Sequence, residues 1–357
     1  MSSKADKDCY VWIWLPSQTE PVVAGKLTVQ NDLIHFNYGQ SYLARDNRIA
    51  IYEPELPLQS GLLPLKPGLM MPGCIRDGSP DAWGRRVIIN KRFAVSGKSL
   101  DTNQLDELTY LLESGSDRIG ALDFQRSPTD YEPRSMVNVP LEELIKAAEY
   151  VEKGLPISKE LDAALNHGTS IGGARPKALI ENENKKYVAK FSSSTDIFGV
   201  VKAEYLAMTL AKLCGLYVAS VSIERSTDKD VLLIERFDRE LSGTKWARKC
   251  MVSSLTMLEL DEMMAQYASY ENLTHVIRKN FYGAPEVLRE LFGRLTFNIL
   301  CGNTDDHARN HSAFWDGHML TLTPAYDICP QNRTGFEASQ GMFILGNQRG
   351  SKLSLCA

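Results

Sequence analysis

At 357 residues, 43% hydrophobic and 24% charged, the chain has the make-up of two or three packed units and implies no large disordered region. Its net charge of -4 lacks the basic surplus that general nucleic-acid binding needs, so any DNA contact is expected to be local or borrowed from a partner. Seven scattered cysteines form no C-x-x-C pair, the first eight residues lack an apolar core, and nowhere do eighteen apolar residues run together. These features exclude a disulfide scaffold, a signal peptide and a membrane span, and predict a cytoplasmic protein.

Residues 1–125 read as a β-rich module. A strand is predicted over residues 11–15, and alternating segments on either side of Asn31 and Asp32 predict a hairpin. The Gly-, Pro- and charge-rich stretch 72–86 carries Arg85 and Arg86, a pair that would grip either a phosphate or a carboxylate, the latter structural reading being favoured. Residues 128–135 have linker composition, which sets a boundary and opens a second region, 126–240.

That region begins with an amphipathic helix over 141–151, stopped by Gly154. Residues 168–180, G-T-S-I-G-G-A-R-P-K-A-L-I, follow. Three glycines in six positions would let backbone amides approach a phosphate, with Ser170 supplying a hydroxyl and Lys177 a charge, although neither a Walker loop nor a dinucleotide fingerprint is present. A strand over 185–191 places Val188 and Lys190 on one face and Tyr187, Ala189 and Phe191 on the other. Lys190 either snorkels from an edge or pairs nucleotide phosphates. A helix over 202–214 stops at Gly215 and carries Glu204, placed for the helix dipole or to orient Lys190. A buried strand is predicted over 231–239, running straight into charge as a hinge between two lobes would, with backbone groups of Glu235 and Phe237 placed to meet an adenine edge.

The third region, 241–357, holds the most informative residues. An apolar helix over 287–300 delivers N-T-D-D-H-A-R-N-H-S at 303–312. Short apolar segments at 312–315 and 319–322 follow, and then the aspartate of P-A-Y-D at 324–327. Asp305 and Asn310 stand five apart, the spacing at which a kinase catalytic loop presents a carboxylate to a hydroxyl and an amide oxygen to a metal; Asp327 would be the second ligand of Mg²⁺. The bland alternative is a polar turn. Asp306 reads as a solvated neighbour, and His307 with His311, four apart in a loop, gives no support for zinc.

Taken in order, residues 170–177, Lys190, 235–239, 303–312 and 322–328 resemble the HipA family of bacterial serine/threonine kinases, toxins of toxin-antitoxin pairs; the β-rich start and residues 80–86 also look like its N-terminal module. The resemblance implies an α+β, two-lobed kinase-like fold with a β-rich N-terminal HipA module, a kinase N-lobe and a mainly helical C-lobe. It implies ATP and Mg²⁺ as cofactors, Asp305 as catalytic base with His307 beside the phosphates, and Asn310 and Asp327 as metal ligands. Lys190, Glu235, Phe237, Asp238, Gly172, Gly173, Lys177 and Tyr326 would hold the nucleotide. Ser170 matches a serine whose autophosphorylation switches the enzyme off, by adding charge to its loop. Partners implied are a HipB-like helix-turn-helix antitoxin, operator DNA only through it, no membrane, and a protein substrate, which in family members is an aminoacyl-tRNA synthetase. The sequence ends at 357 where the family usually continues, so an abbreviated C-lobe is expected. Two alternatives stay open: an inactive kinase-like scaffold acting as co-repressor, and a Mg²⁺-dependent phosphohydrolase.

Overall fold

A computed structural model describes residues 8–93, 105–134, 139–158, 161, 165, 171, 173–182, 184–193, 196–332 and 337–352. The N-terminal sheet is antiparallel in the order β3-β2-β1-β4, from β1 (Cys9–Ile13), β2 (Val22–Gln30), β3 (Leu33–Tyr38) and β4 (Leu122–Gln125). The predicted hairpin forms, with Gln30 facing Leu33 and Asn31 and Asp32 both at positive φ, as a two-residue turn with the twist of its strands demands. Strand β3 buries Ile34, Phe36 and Tyr38 in strict alternation.

The second sheet, β5 (Lys177–Glu181), β6 (Lys186–Phe191), β7 (Val221–Ser226) and β8 (Lys229–Glu235), runs in the order β5-β6-β8-β7. Its two faces match the alternation expected of β6. Ala189 and Phe191 pack with Leu144, Ala148 and Val151 of the helix Leu141–Glu152, whereas Val188, Leu232 and Ile234 pack with the helix Val200–Leu213. Both helices end where anticipated, with Gly154 and Gly215 at positive φ. Strand β8 stops at Glu235, short of the predicted 239; Arg239 instead opens the hairpin of β9 (Arg239–Ser242) and β10 (Lys245–Arg248).

Helices Tyr270–Asn280 and Ala284–Cys301 dominate the C-terminal region, but a three-stranded sheet of β11 (Cys250–Ser253), β12 (Ser312–Trp315) and β13 (Leu320–Leu322) crosses it. No helix among the described residues is long and apolar enough to cross a membrane. Phe36, Ile75 and Phe124 of the N-terminal module share one hydrophobic core with Val252, Leu255 and Leu320. Trp315 donates to the Ala50 carbonyl at 2.9 Å, and Asp77 accepts from the backbone and hydroxyl of Ser253, both at 2.7 Å. The N-terminal module is thus built onto the C-terminal half, and a polar stretch far away in sequence becomes part of the same interior.

A buried ionic cluster locks the module to the segment after β8. Arg236 donates to Asp238 at 2.8 and 3.0 Å and to the carbonyls of Asp117 and Arg118 at 2.9 and 2.6 Å. Arg239 bonds Asp117 at 2.8 Å and Asp238 at 2.9 Å, while Asp238 accepts the Gly120 N–H at 2.8 Å. Burial alone would raise the Asp238 pKa, but Arg236 and Arg239 together hold it down to about 2; Asp117 is likewise lowered. These carboxyls ionise lower in the folded protein than in the unfolded chain. Their stabilisation is therefore complete above the ordinary value of 3.8 and is lost as pH falls toward about 2. An acid titration followed by circular dichroism is expected to show cooperative unfolding in that window, and Asp238→Asn to flatten it.

Candidate active site

A cleft of about 380 Å³ lies where the second sheet, the C-terminal region and the N-terminal module meet. That size suits a small-molecule ligand. Among its walls are Lys190 from β6, Phe237 after β8, His307 and Asn310 from the polar loop, and Tyr326 and Asp327 beyond β13. The N-terminal module supplies a third wall through Ile51, Asp77 and Asp81.

Lys190 lies opposite Lys177 in the β5–β6 pairing and Leu232 in the β6–β8 pairing, so it occupies an interior strand and not a sheet edge. Its ammonium bonds Glu204 at 2.6 Å and also Asp327. Glu204 is 2% exposed and sits a full turn inside its helix, which starts at Val200; dipole compensation at the first turn therefore does not account for it. Burial disfavours the Lys190 charge, but Asp327 and Glu204 outweigh it and raise the pKa above the ordinary lysine value. Burial likewise works against the Asp327 carboxylate, and Lys190 holds that group down to about 2. Asp327 has a φ of 59°, a left-handed conformation uncommon outside glycine and tolerated by aspartate. Ala325, bridged to Val218, anchors the backbone just before it. Arg294, 2% exposed, reinforces this by donating to the Thr323 and Tyr217 carbonyls at 2.9 and 3.1 Å.

The polar loop runs from the end of Ala284–Cys301 into β12, its Ala308–Asn310 part forming a turn of 3-10 helix. Asp305 is exposed, whereas Asn310 is 8% exposed and donates its amide to the Asp305 carbonyl at 3.2 Å, which leaves its side-chain oxygen as an acceptor. Although the residue as a whole is exposed, its carboxylate is partly desolvated by the surrounding loop, which raises the Asp305 pKa; His307 opposes this and the Asp327 charge reinforces it. Asp306 contradicts its expected role as a solvated neighbour: it is 2% exposed and bonds Tyr270 and His311. Its side chain turns into the interior because these polar groups wait there, which adjacency to Asp305 conceals.

At the opposite end, Phe237 packs on Tyr326 and Phe314 at ring separations of 5.7 and 6.0 Å, forming an aromatic corner. The Glu235 N–H is engaged by the Ser220 carbonyl at 2.9 Å, while its side chain bonds Lys185 at 2.6 Å. Asp238 borders the cleft, but Arg236, Arg239 and Gly120 hold its carboxylate, so we read it as fixing the hinge. Tyr326 donates its hydroxyl to the Arg309 carbonyl at 2.7 Å and pairs with Ser312 at 2.6 Å, which ties it to the polar loop. Lys177 is 1% exposed, with Asp81 at 3.9 Å; burial lowers its pKa to about 8 despite that carboxylate. Gly173 faces its ammonium. Ser170 and Gly172 lie outside the described residues. Arg85 bonds Glu107 at 2.6 Å, and Arg86 donates to the Ala174 carbonyl at 2.5 Å, fastening the N-terminal module to the glycine-rich segment.

The donor set suits a hard cation: Asp327 supplies a carboxylate and Asn310 an amide oxygen on one cleft, and no cluster of three His, Cys, Asp or Glu among the described residues forms a closed metal cage. Two protein oxygens with several positions left open match Mg²⁺ bound together with phosphates.

A small antiparallel sheet whose lysine pairs with a glutamate of the helix packed on it, joined through a hinge to a second lobe with a polar loop and a following aspartate, defines a two-lobed protein-kinase-like fold carrying a β-rich N-terminal module. Residues 169–354 match the HipA-like C-terminal domain and residues 15–125 the HipA N-terminal domain, so the chain belongs to the HipA family. Over 316 residues it is 25% identical to "Putative kinase Y4mE" of Sinorhizobium fredii, covering 83% of this chain and 71% of that protein. It is 27% identical over 186 residues to the serine/threonine-protein kinase toxin HipA of Shewanella oneidensis, covering 44% of this chain and 42% of that one. The fold is similar to HipA in a Shewanella oneidensis complex of HipA, HipB and operator DNA. The TM-score is 0.66 at 20% identity, over 90% of this chain and 77% of that chain.

Proposed function

We propose that the protein is a HipA-type serine/threonine kinase, the toxin of a toxin-antitoxin pair, which transfers the γ-phosphate of ATP to a protein serine. What carries this reading is the meeting, on one cleft, of Lys190 from the first lobe with Asn310 and Asp327 from the second, beside the aromatic corner of Phe237. Lys190, oriented by Glu204, pairs with nucleotide phosphates. The Phe237 N–H, which donates to no group among the described residues, meets the adenine edge together with the Glu235 carbonyl. Asn310 and Asp327 hold Mg²⁺, which when bound supplies positive charge to the phosphate oxygens. Asp305 takes the proton of the substrate hydroxyl, and His307 lies against the phosphates. Catalysis is then positioning plus electrostatic stabilisation by groups already in place.

Under this reading Ser170 is the autophosphorylation site that turns the enzyme off, with Gly173 in the same loop and Lys177 at the start of β5 beyond it. Partners are a HipB-like helix-turn-helix antitoxin, which would bring this acidic chain to operator DNA, and a cytoplasmic protein substrate such as an aminoacyl-tRNA synthetase. Incubation with labelled ATP and Mg²⁺ tests the assignment. Labelled serine, on this chain or on a second protein, is expected; free phosphate without labelled protein would indicate a phosphohydrolase, and neither would indicate a scaffold. Gly173 has a φ of 111°, which residues with a side chain rarely adopt, and a Cβ there would collide with the Lys177 ammonium. Gly173→Ala is accordingly expected to raise the KM for ATP about tenfold by steady-state assay, a cost of about 1.4 kcal/mol.

A further inference from the structure

The aspartate beside the proposed base has no part in the chemistry above, yet it is the more completely built of the two. Asp306 is 2% exposed and His311 3%, and the imidazole Nε2 donates to Asp306 Oδ1 at 3.0 Å. The hydroxyl of Tyr270, also 3% exposed, donates to Asp306 Oδ2 and lies 3.2 Å from His311 Nε2. Just before the arch, the Asn303 amide donates to the Asn298 side-chain oxygen at 3.1 Å. The His311 carbonyl accepts the Ser254 N–H at 2.7 Å. Gly341 presses so closely on the loop that a Cβ there would stand 2.8 Å from the Asp306 carbonyl oxygen.

The consequence is geometric. Asp306 and His311 close a six-residue arch, 306–311, whose interior side is bonded to Tyr270 at the start of the helix Tyr270–Asn280, while Asn303 just before it is bonded to Asn298 of the helix Ala284–Cys301. Asp305 stands just outside one foot of this arch and Asn310 just inside the other, with the Asn310 amide on the Asp305 carbonyl. Side chains that turn inward at 306 and 311 leave those at 305, 307 and 310 on the other side.

We propose that Asp306 is a positioning residue: by gripping Tyr270 and His311 it fixes the arch that spaces Asp305 from Asn310, and so governs turnover more strongly than nucleotide affinity. This rests on the kinase reading. Lys190 and Phe237, which hold the nucleotide, stand on other elements, so the two parameters separate. Asp306→Asn keeps the shape but presents an NH₂ to one of two donors.

In the full chain, Asp306→Asn is expected to lower kcat by roughly 100-fold, the scale of an ångström-level misplacement, while KM for ATP stays within about threefold. Amide hydrogen exchange is expected to quicken across 303–312 and to stay unchanged across 186–191. Tyr270→Phe should show the same pattern more weakly, and the double variant should be no worse than Asp306→Asn alone, because the three groups act as a unit. Unchanged kcat and exchange in Asp306→Asn would overturn the proposal, as would faster exchange throughout with kcat and KM worsening together. Should Asp306→Asn fail to fold, parental exchange across 303–312 in Tyr270→Phe would overturn it. If the unaltered chain transfers no phosphate, the kinase reading fails, while the exchange pattern still decides the role of Asp306.

Discussion

Asp305→Asn is expected to reduce phosphoryl transfer by about 10²–10⁴-fold, the range attributed to a positioned proton acceptor. Asparagine preserves the volume and polarity of an exposed side chain, and the Asp305 carbonyl that holds Asn310 is backbone, so the arch and nucleotide binding should persist. The signature is a loss in kcat with equilibrium ATP affinity unchanged, measured by labelled-phosphate transfer alongside isothermal titration. Only the ionised carboxylate can take a proton. Because burial and Asp327 raise the Asp305 pKa, the rate in the parent should climb with pH through a value above 3.8 and level off toward neutrality. In Asp305→Asn this limb should vanish. A variant as active as the parent would remove Asp305 from the mechanism.

The second large effect concerns stability. Arg236→Met removes one cation from a cluster in which Asp117 and Asp238 each depend on two arginines, and leaves buried carboxylates short of a partner. Breaking a buried pair from one side costs about 3–5 kcal/mol, more than the pair itself contributes, because the remaining charge stays desolvated. Denaturant unfolding should show that loss with little change in slope. The damage should also reach the site, because the same arginine holds the carbonyls of Asp117 and Arg118 against the segment that carries Phe237. Weaker nucleotide binding should therefore accompany the lower stability. A surface pair such as Lys245 and Glu20 is the control: both partners are more than half exposed, and Lys245→Ala should leave both quantities near parental values.

Much of this architecture is written in local pattern. The turn at Asn31 and Asp32, the two-faced alternation of β6, the helix ends at Gly154 and Gly215 and the sequence of helix, polar loop, hairpin and aspartate all depend on neighbours a few residues apart. Local preference is strong there because glycine, asparagine and alternating apolar residues each admit few backbone conformations. The same local logic placed Lys190 on a strand and Glu204 on the helix that follows, although it left open whether they touch.

What it could not supply were pairings between distant charged residues. Asp117 lies 119 positions before Arg236, and Asp77 lies 176 before Ser253, and nothing in either neighbourhood announces the other. A buried ion cluster forms only after the backbone has excluded water, so its members look in sequence like ordinary surface charges. The reversal of Asp306 has the same origin, because two adjacent aspartates are equivalent until Tyr270 and His311 are brought to one of them. The sequence by itself determined the family, the order of the elements that carry the site and the candidate chemistry of Lys190, Asp305, Asn310 and Asp327. Only the tertiary structure decided that the N-terminal module walls the cleft and which of the charged side chains are interior, because desolvation and long-range packing exist only once the chain is folded.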